Sequence, residues 1–254
     1  MKSALIGCTG FVGSTLREQT SFSHFYHSTD IDKIEGQSFD LVVCAAAPAK
    51  KWYANLHPEE DLQNIKKLIE HLEKVSAQRF VLVSTVDVFK TPLNVDENSQ
   101  IVTDYLHPYG LHRYYLEEFV KTKFKNHLII RLPGLVGRGL RKNILYDFKH
   151  NNQLQAINAD DIFQFYPMSN LWKDITISLE NNLSLVHLTA YPLKVREVAQ
   201  KVFNFDFTNT LNRAPLRYDM RSIYASLWGE VQYQYDKDSS LEAISAYSED
   251  KEED

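Results

Sequence analysis

The seven residues Gly7-Cys8-Thr9-Gly10-Phe11-Val12-Gly13 constrain this chain more than any other stretch. Three glycines at three-residue intervals follow the apolar run Ala4-Leu5-Ile6, and a helical pattern begins behind them. A tight turn needs backbone angles that glycine permits, and a second glycine without a side chain leaves room for a pyrophosphate. The third lets the helix pack on the strand, so that the helix N-terminus faces the phosphates. Glycine loops also end strands for purely structural reasons. Set between a buried strand and a helix, this one reads as the phosphate-binding turn of a dinucleotide-binding βαβ unit.

Strands and helices then alternate. The pattern predicts buried strands over 2–6, 22–27, 41–46, 79–83 and 127–132. The run at 41–46 is apolar throughout, as in a central parallel strand covered on both faces. Leu62, Ile65, Leu68, Ile69, Leu72 and Val75 recur at helical spacing, which predicts a helix over 61–75, with another over 109–123. Such alternation implies an α/β fold: a Rossmann-like, doubly wound parallel sheet that binds ligands outside the carboxyl ends of its strands. After Pro133 the pattern loosens. Residues 134–143 hold three glycines and several basic side chains and read as a loop over the site. The expected division is a dinucleotide-binding domain at 1–133 and a small C-terminal substrate-binding region at 134–235, interleaved with the last strands. An acidic tail at 236–254 is expected to stay disordered.

Composition narrows the functional classes. A net charge of −5 is unlike the basic surface of a nucleic-acid-binding protein. No apolar run approaches the roughly 18 residues of a membrane span. Two cysteines, Cys8 and Cys44, are too few for a disulfide framework, and a cytoplasmic protein is expected. The histidines show no metal-ligand spacing, so no metal is expected.

Two more segments carry chemistry. Residues 80–89 read Phe-Val-Leu-Val-Ser-Thr-Val-Asp-Val-Phe and deliver the hydroxyls of Ser84 and Thr85 to a strand end. Residues 107–117 read His-Pro-Tyr-Gly-Leu-His-Arg-Tyr-Tyr-Leu-Glu and open a helix. With the glycine loop, Ala45-Ala46, Asn64 and the run Arg131-Leu132-Pro133-Gly134-Leu135-Val136-Gly137, they resemble the extended short-chain dehydrogenase/reductase superfamily, also called the NAD-dependent epimerase/dehydratase family. The resemblance spans roughly residues 2 to 205.

What the resemblance implies is specific. Tyr109 matches the catalytic acid/base, Thr85 the hydroxyl that orients the substrate oxygen, and Arg113 stands where the family has lysine. Gly7, Thr9, Gly10, Phe11, Val12, Gly13, Ala45, Ala46, Arg113 and Pro133 would bind the cofactor, NAD or NADP. Hydride transfer at carbon requires proton movement on the attached oxygen, and a phenol of pKa ~10 needs nearby positive charge to serve near neutrality. Arginine supplies that charge and can grip a ribose, but it releases no proton. His112, its neighbour, is either a proton relay or a surface histidine. Dehydrating members resemble Thr-Asp-Glu where this chain has Thr85-Val86-Asp87, so dehydration is not expected. Asp87 either touches substrate or caps a turn, and Asp30 and Asp32 are the candidates for the adenosine ribose.

The resemblance thus implies an NAD(P)-dependent epimerase or reductase acting on a carbonyl or hydroxyl of a nucleotide-linked sugar. It also implies a homodimer formed through the helices at 61–75 and 109–123. The alternative is a non-catalytic nucleotide-binding regulatory or scaffold protein on the same fold, motivated by Arg113.

Overall fold

Strands that are apolar on both faces must be covered on both faces, and the computed structural model of the chain shows how. It describes residues 1–250. In chain order the elements are β1 (Ser3–Ile6), α1 (Phe11–Gln19), β2 (His24–Tyr26), β3 (Ser38–Cys44), α2 (Lys51–Leu56), α3 (Pro58–Leu72), β4 (Ser76–Thr85), β5 (Leu93–Val95), α4 (Pro108–Lys123) and β6 (His127–Leu132). There follow β7 (Gly134–Val136), α5 (Ile144–Lys149), β8 (Ile162–Phe163), β9 (Phe165–Pro167), α6 (Leu171–Glu180), β10 (Leu185–His187), β11 (Leu193–Lys194), α7 (Val195–Val202), β12 (Asp219–Met220) and α8 (Lys237–Glu249).

The chain divides into two compact units. The first comprises residues 1–90, 100–131 and 172–186. It holds a six-stranded sheet of order β10-β6-β4-β3-β1-β2. β1 pairs in parallel with β2 and β3, and β3 with β4. The order reverses at β1 and β3, the place where open α/β sheets bind ligands. Val42, Val43, Cys44, Phe80, Val81 and Leu82 are fully buried, while α3 and α4 bring Ile65, Leu72, Leu116 and Val120 into the same core.

The second unit comprises residues 91–99, 132–171 and 187–254, and three strand pairs organise it: β11 with β8, β12 with β5, and β7 with β9. Phe148, Ile157, Val195, Ala199 and Phe207 form its apolar centre beside α5 and α7. Glu97 ties it internally, accepting from the His187 and Ile223 amides at 2.8 and 2.9 Å and from the Ser222 hydroxyl at 2.6 Å. Burial holds the Glu97 carboxyl above its ordinary pKa.

Three expectations change. The second unit is interleaved with the last strands as expected at 172–186, which returns to the first unit, but it also takes 91–99, expected in the first. Residues 134–136, expected in a loop, form β7 and pair with β9 in parallel. Most of the supposedly disordered acidic tail is helix α8; Asp236 caps it by accepting the Ser239 amide at 2.9 Å, and Ile244 and Tyr247 are buried. Those two apolar side chains anchor a helix whose acidic residues mask it in the sequence. Residues 251–254 lie outside the described residues.

Candidate active site

The three glycines of the loop answer to different constraints. Gly7 adopts φ +84°, and a Cβ there would lie 2.5 Å from the Ala45 carbonyl oxygen. A Cβ on Gly13 would lie 2.1 Å from the Gly7 carbonyl oxygen. Both positions are dictated by the chain's own atoms. Gly10 is not, because a Cβ there would meet only the Gly7 oxygen, at an ordinary 3.6 Å. Gly10 is the N-cap of α1 and brings no side-chain cap to its first turn. Thr9 and Gly10 are exposed, and Phe11 and Val12 are half-buried. Ala45 follows β3 and donates its amide to the Ile6 carbonyl at 2.9 Å, with Ala46 next in the chain. Pro133 is buried between β6 and β7.

At the end of β4 the side chains alternate in direction, so Ser84 and Thr85 part company. Ser84 donates to the Glu117 carboxylate at 2.5 Å, inside the core. Glu117 also holds Arg131, through Nη2 at 2.7 Å and Nε at 3.1 Å. Thr85 is half-buried, stays outside that core pair and accepts the Asp87 amide at 3.2 Å. The expectation that both hydroxyls reach the mouth of the sheet is corrected to one.

Tyr109, Arg113 and Glu117 are four residues apart on α4 and therefore share a helix face. Pro108 starts this helix, and the His107 imidazole caps it by accepting the Gly110 amide at 3.0 Å. A Cβ on Gly110 would lie 1.9 Å from the Asp87 carbonyl oxygen. Glycine after the tyrosine thus lets the helix press against the segment behind β4.

Arg113 is buried beneath Tyr109, its guanidinium 4.0 Å from the ring centroid. Nη1 donates to Asp61 Oδ2 and to the Tyr109 carbonyl, and Nη2 to Asp61 Oδ1 at 2.8 Å and to the Pro48 carbonyl. All four terminal N–H groups are engaged, and the buried Nε lacks a partner. The positive charge expected beside Tyr109 is present, but the guanidinium is occupied with protein groups where a ribose grip was expected. His112 is neither relay nor surface residue; it is buried, with Nδ1 2.7 Å from Asp61 Oδ2. A residue next to Arg113 leaves the helix in another direction, and the acid on α3 reaches both.

Lys51, at the start of α2, was missed by sequence reasoning. Its Nζ lies 2.7 Å from Asp87 Oδ1. The Asp87 amide donates to Thr85 Oγ1 at 3.2 Å, so it is Thr85 that caps the turn behind β4, while the Asp87 carboxylate holds a cation. Burial raises the Tyr109 phenol above its ordinary value; Arg113, Lys51 and the Thr85 hydroxyl pull it down, and Asp87 pushes it up. The expected net lowering by Arg113 is therefore outweighed by desolvation. His107 is held below the usual histidine value by burial and then by Lys51.

No protein-family model and no curated protein matches the sequence. Solved structures do. A dTDP-4-dehydrorhamnose reductase from Clostridium acetobutylicum gives a TM-score of 0.76 at 16% identity, covering 97% of this chain and 98% of that one. A dTDP-4-dehydrorhamnose reductase from Bacillus anthracis in complex with NADP gives 0.73 at 18%, over 97% and 98%. A UDP-glucuronic acid 4-epimerase mutant from Bacillus cereus, in complex with NAD and a fluorinated UDP-sugar, gives 0.71 at 16%, over 98% of each chain. This chain has their fold.

Within that fold, the adenosine-ribose candidates follow the end of β2. β2 ends at Tyr26, whose carbonyl accepts the Gly7 amide at 2.8 Å. Asp30 Oδ1 accepts the His27 amide at 2.7 Å, and Asp32 lies in a short 3-10 turn. No helix among the described residues is long and apolar enough to cross a membrane. Asp61 and Lys51 are the side chains the motifs concealed. Asp61 sits among other acids in the first turn of α3, and Lys51 in a helix too short to show a period.

Proposed function

We propose that this protein is an NAD(P)-dependent reductase or epimerase acting on a carbonyl or hydroxyl carbon of a nucleotide-linked sugar. The observation that carries the reading is Tyr109 over the Arg113 guanidinium, 4.0 Å from its ring centroid, on a helix whose Gly110 packs against the Asp87 carbonyl just behind β4, in the unit that also holds the glycine loop.

The glycine loop fits a dinucleotide on one observation. Gly10 is the glycine that no protein atom requires, and it opens a helix without a side-chain cap. A ligand approaching the backbone supplies the missing reason. Gly7, Thr9, Gly10, Phe11, Val12 and Gly13, with Ala45, Ala46 and Pro133, would hold it. When bound, the nicotinamide supplies or receives the hydride.

The remaining chemistry belongs to side chains. Thr85 orients the substrate oxygen, and Tyr109 exchanges a proton with it as the attached carbon gains or loses hydride. At neutral pH the raised phenol is protonated, which suits delivery of a proton to the oxygen of a carbonyl being reduced. Arg113 acts as a fixed charge under the ring and holds α4 to α3 through Asp61. Thr85-Val86-Asp87 lacks a carboxyl between threonine and aspartate, so dehydration is left out of the proposal.

The test is direct: purified protein is incubated with NADPH or NADH and a panel of 4-keto sugar nucleotides, and with NAD and the corresponding UDP-hexoses. The reading predicts loss of reduced-nicotinamide absorbance with the first set, or interconversion of epimers with the second. Dinucleotide binding without either reaction would contradict it.

A further inference from the structure

The first amides of a helix have no acceptor within it and must find one outside. In α4, Pro108 brings no amide, and Gly110 donates to the His107 ring at 3.0 Å. The amide between them, that of Tyr109 itself, goes to another helix: Asn55 Oδ1 accepts it at 3.0 Å. Asn55 stands on α2, and Lys51 stands one turn earlier on the same face. Lys51 Nζ holds the Asp87 carboxylate at 2.7 Å, and the Asp87 carbonyl is the group against which Gly110 packs. Just before α2, the Pro48 carbonyl accepts from Arg113. Of the six residues of α2 only Ala54 is buried, while Trp52 and Leu56 are exposed. Polar contacts with α4 and the segment behind β4 therefore do more to hold α2 than apolar packing does.

We propose that Asn55 is a positioning residue for Tyr109, and that α2 is a clasp fixing the start of α4 against the segment behind β4. This inference rests on the reading of Tyr109 as the acid/base. Proton transfer needs the phenol within hydrogen-bond reach of the reacting oxygen, and a displacement of about 1 Å can cost on the order of a hundredfold in rate. Arg113 steadies the ring from beneath. Asn55 holds the backbone from which the ring leaves the helix, and Lys51 closes the opposite side of the same junction through Asp87.

The test uses the full chain and two readouts. In turnover, Asn55→Ala should lower kcat about tenfold or more, with KM within about twofold of the parent. Asn55→Asp keeps an acceptor oxygen at the same reach and should restore most of kcat, since the two residues serve about equally as caps. If Asn55→Ala folds poorly by circular dichroism, Asn55→Leu removes the acceptor at nearly the same size. The second readout needs no activity: 3-fluorotyrosine is placed at position 109 and its fluorine resonance is followed by NMR. The resonance should shift or split in Asn55→Ala and return to the parent position in Asn55→Asp. A resonance that responds in this way in a protein without turnover would support the Asn55 assignment and overturn the proposed reaction. An unmoved resonance, or an unchanged kcat, in folded Asn55→Ala would overturn the assignment.

Discussion

The proposed phosphate side and the proposed acid–base side of the first unit are built by different means. The glycine loop is a matter of backbone. Gly7 and Gly13 are fixed by carbonyl oxygens 2.5 and 2.1 Å from where a Cβ would stand, and all the atoms involved lie within a few residues or one strand away. The acid–base side is a matter of side chains from separate elements. Tyr109 donates its amide to Asn55 on α2 and lies over Arg113 on its own helix α4, and that arginine takes its position from Asp61 on α3. Close packing makes the first side intolerant of added atoms. Buried polarity makes the second intolerant of lost partners.

The largest effect is expected where a buried charge loses its counter-ion. Asp61→Ala leaves Arg113 and His112 without their anion and should cost about 3–5 kcal/mol of stability. Chemical denaturation of the two proteins measures it; a loss below about 1 kcal/mol would mean that the acid–base side is not held by this carboxylate. Gly13→Ala comes next. Its methyl would intrude on the Gly7 carbonyl, so the loop must shift, at a cost of roughly 1–3 kcal/mol. Gly10→Ala at the matching place should leave stability within about 0.5 kcal/mol of the parent. Equal melting of the two variants would erase the distinction drawn between these glycines. Dinucleotide affinity should show the reverse order: Gly10→Val abolishes binding by calorimetry while the fold survives.

The smallest effect concerns the cysteines, which lie on the phosphate side. Burial pushes the Cys44 thiol up to about 11, so at pH 8 it stays protonated and unreactive. Alkylation of native protein, followed by mass spectrometry, should be about a hundredfold slower than in the unfolded chain. Rapid labelling of Cys44 would show that this strand end opens.

What was legible in the sequence follows the same division. The glycine loop, β1, β3 and the helix carrying Tyr109 declare themselves locally, through apolar runs, glycine spacing and Pro108 at a helix start. Asp61, His112 and Lys51 do not. Their roles depend on α2 and α3 packing beside α4, about fifty residues away in sequence, and no periodicity encodes which acid on α3 meets which base on α4. Ser84 was misplaced because the two-residue alternation of β4 runs on to its last residue, sending one hydroxyl into the core and the other away from it. In α8 the sequence signal was masked by charge: two buried apolar residues and an Asp236 cap order a segment whose composition reads as solvated.

The central claim is that Tyr109 moves the proton while the glycine loop holds the dinucleotide. It is tested most directly by measuring NADPH and NADP affinity and the turnover number of Tyr109→Phe beside the parent. The phenylalanine keeps the ring over Arg113 and removes only the hydroxyl. The account predicts affinities unchanged within about twofold and turnover lower by about two orders of magnitude or more. Turnover that persists undiminished in Tyr109→Phe would contradict it.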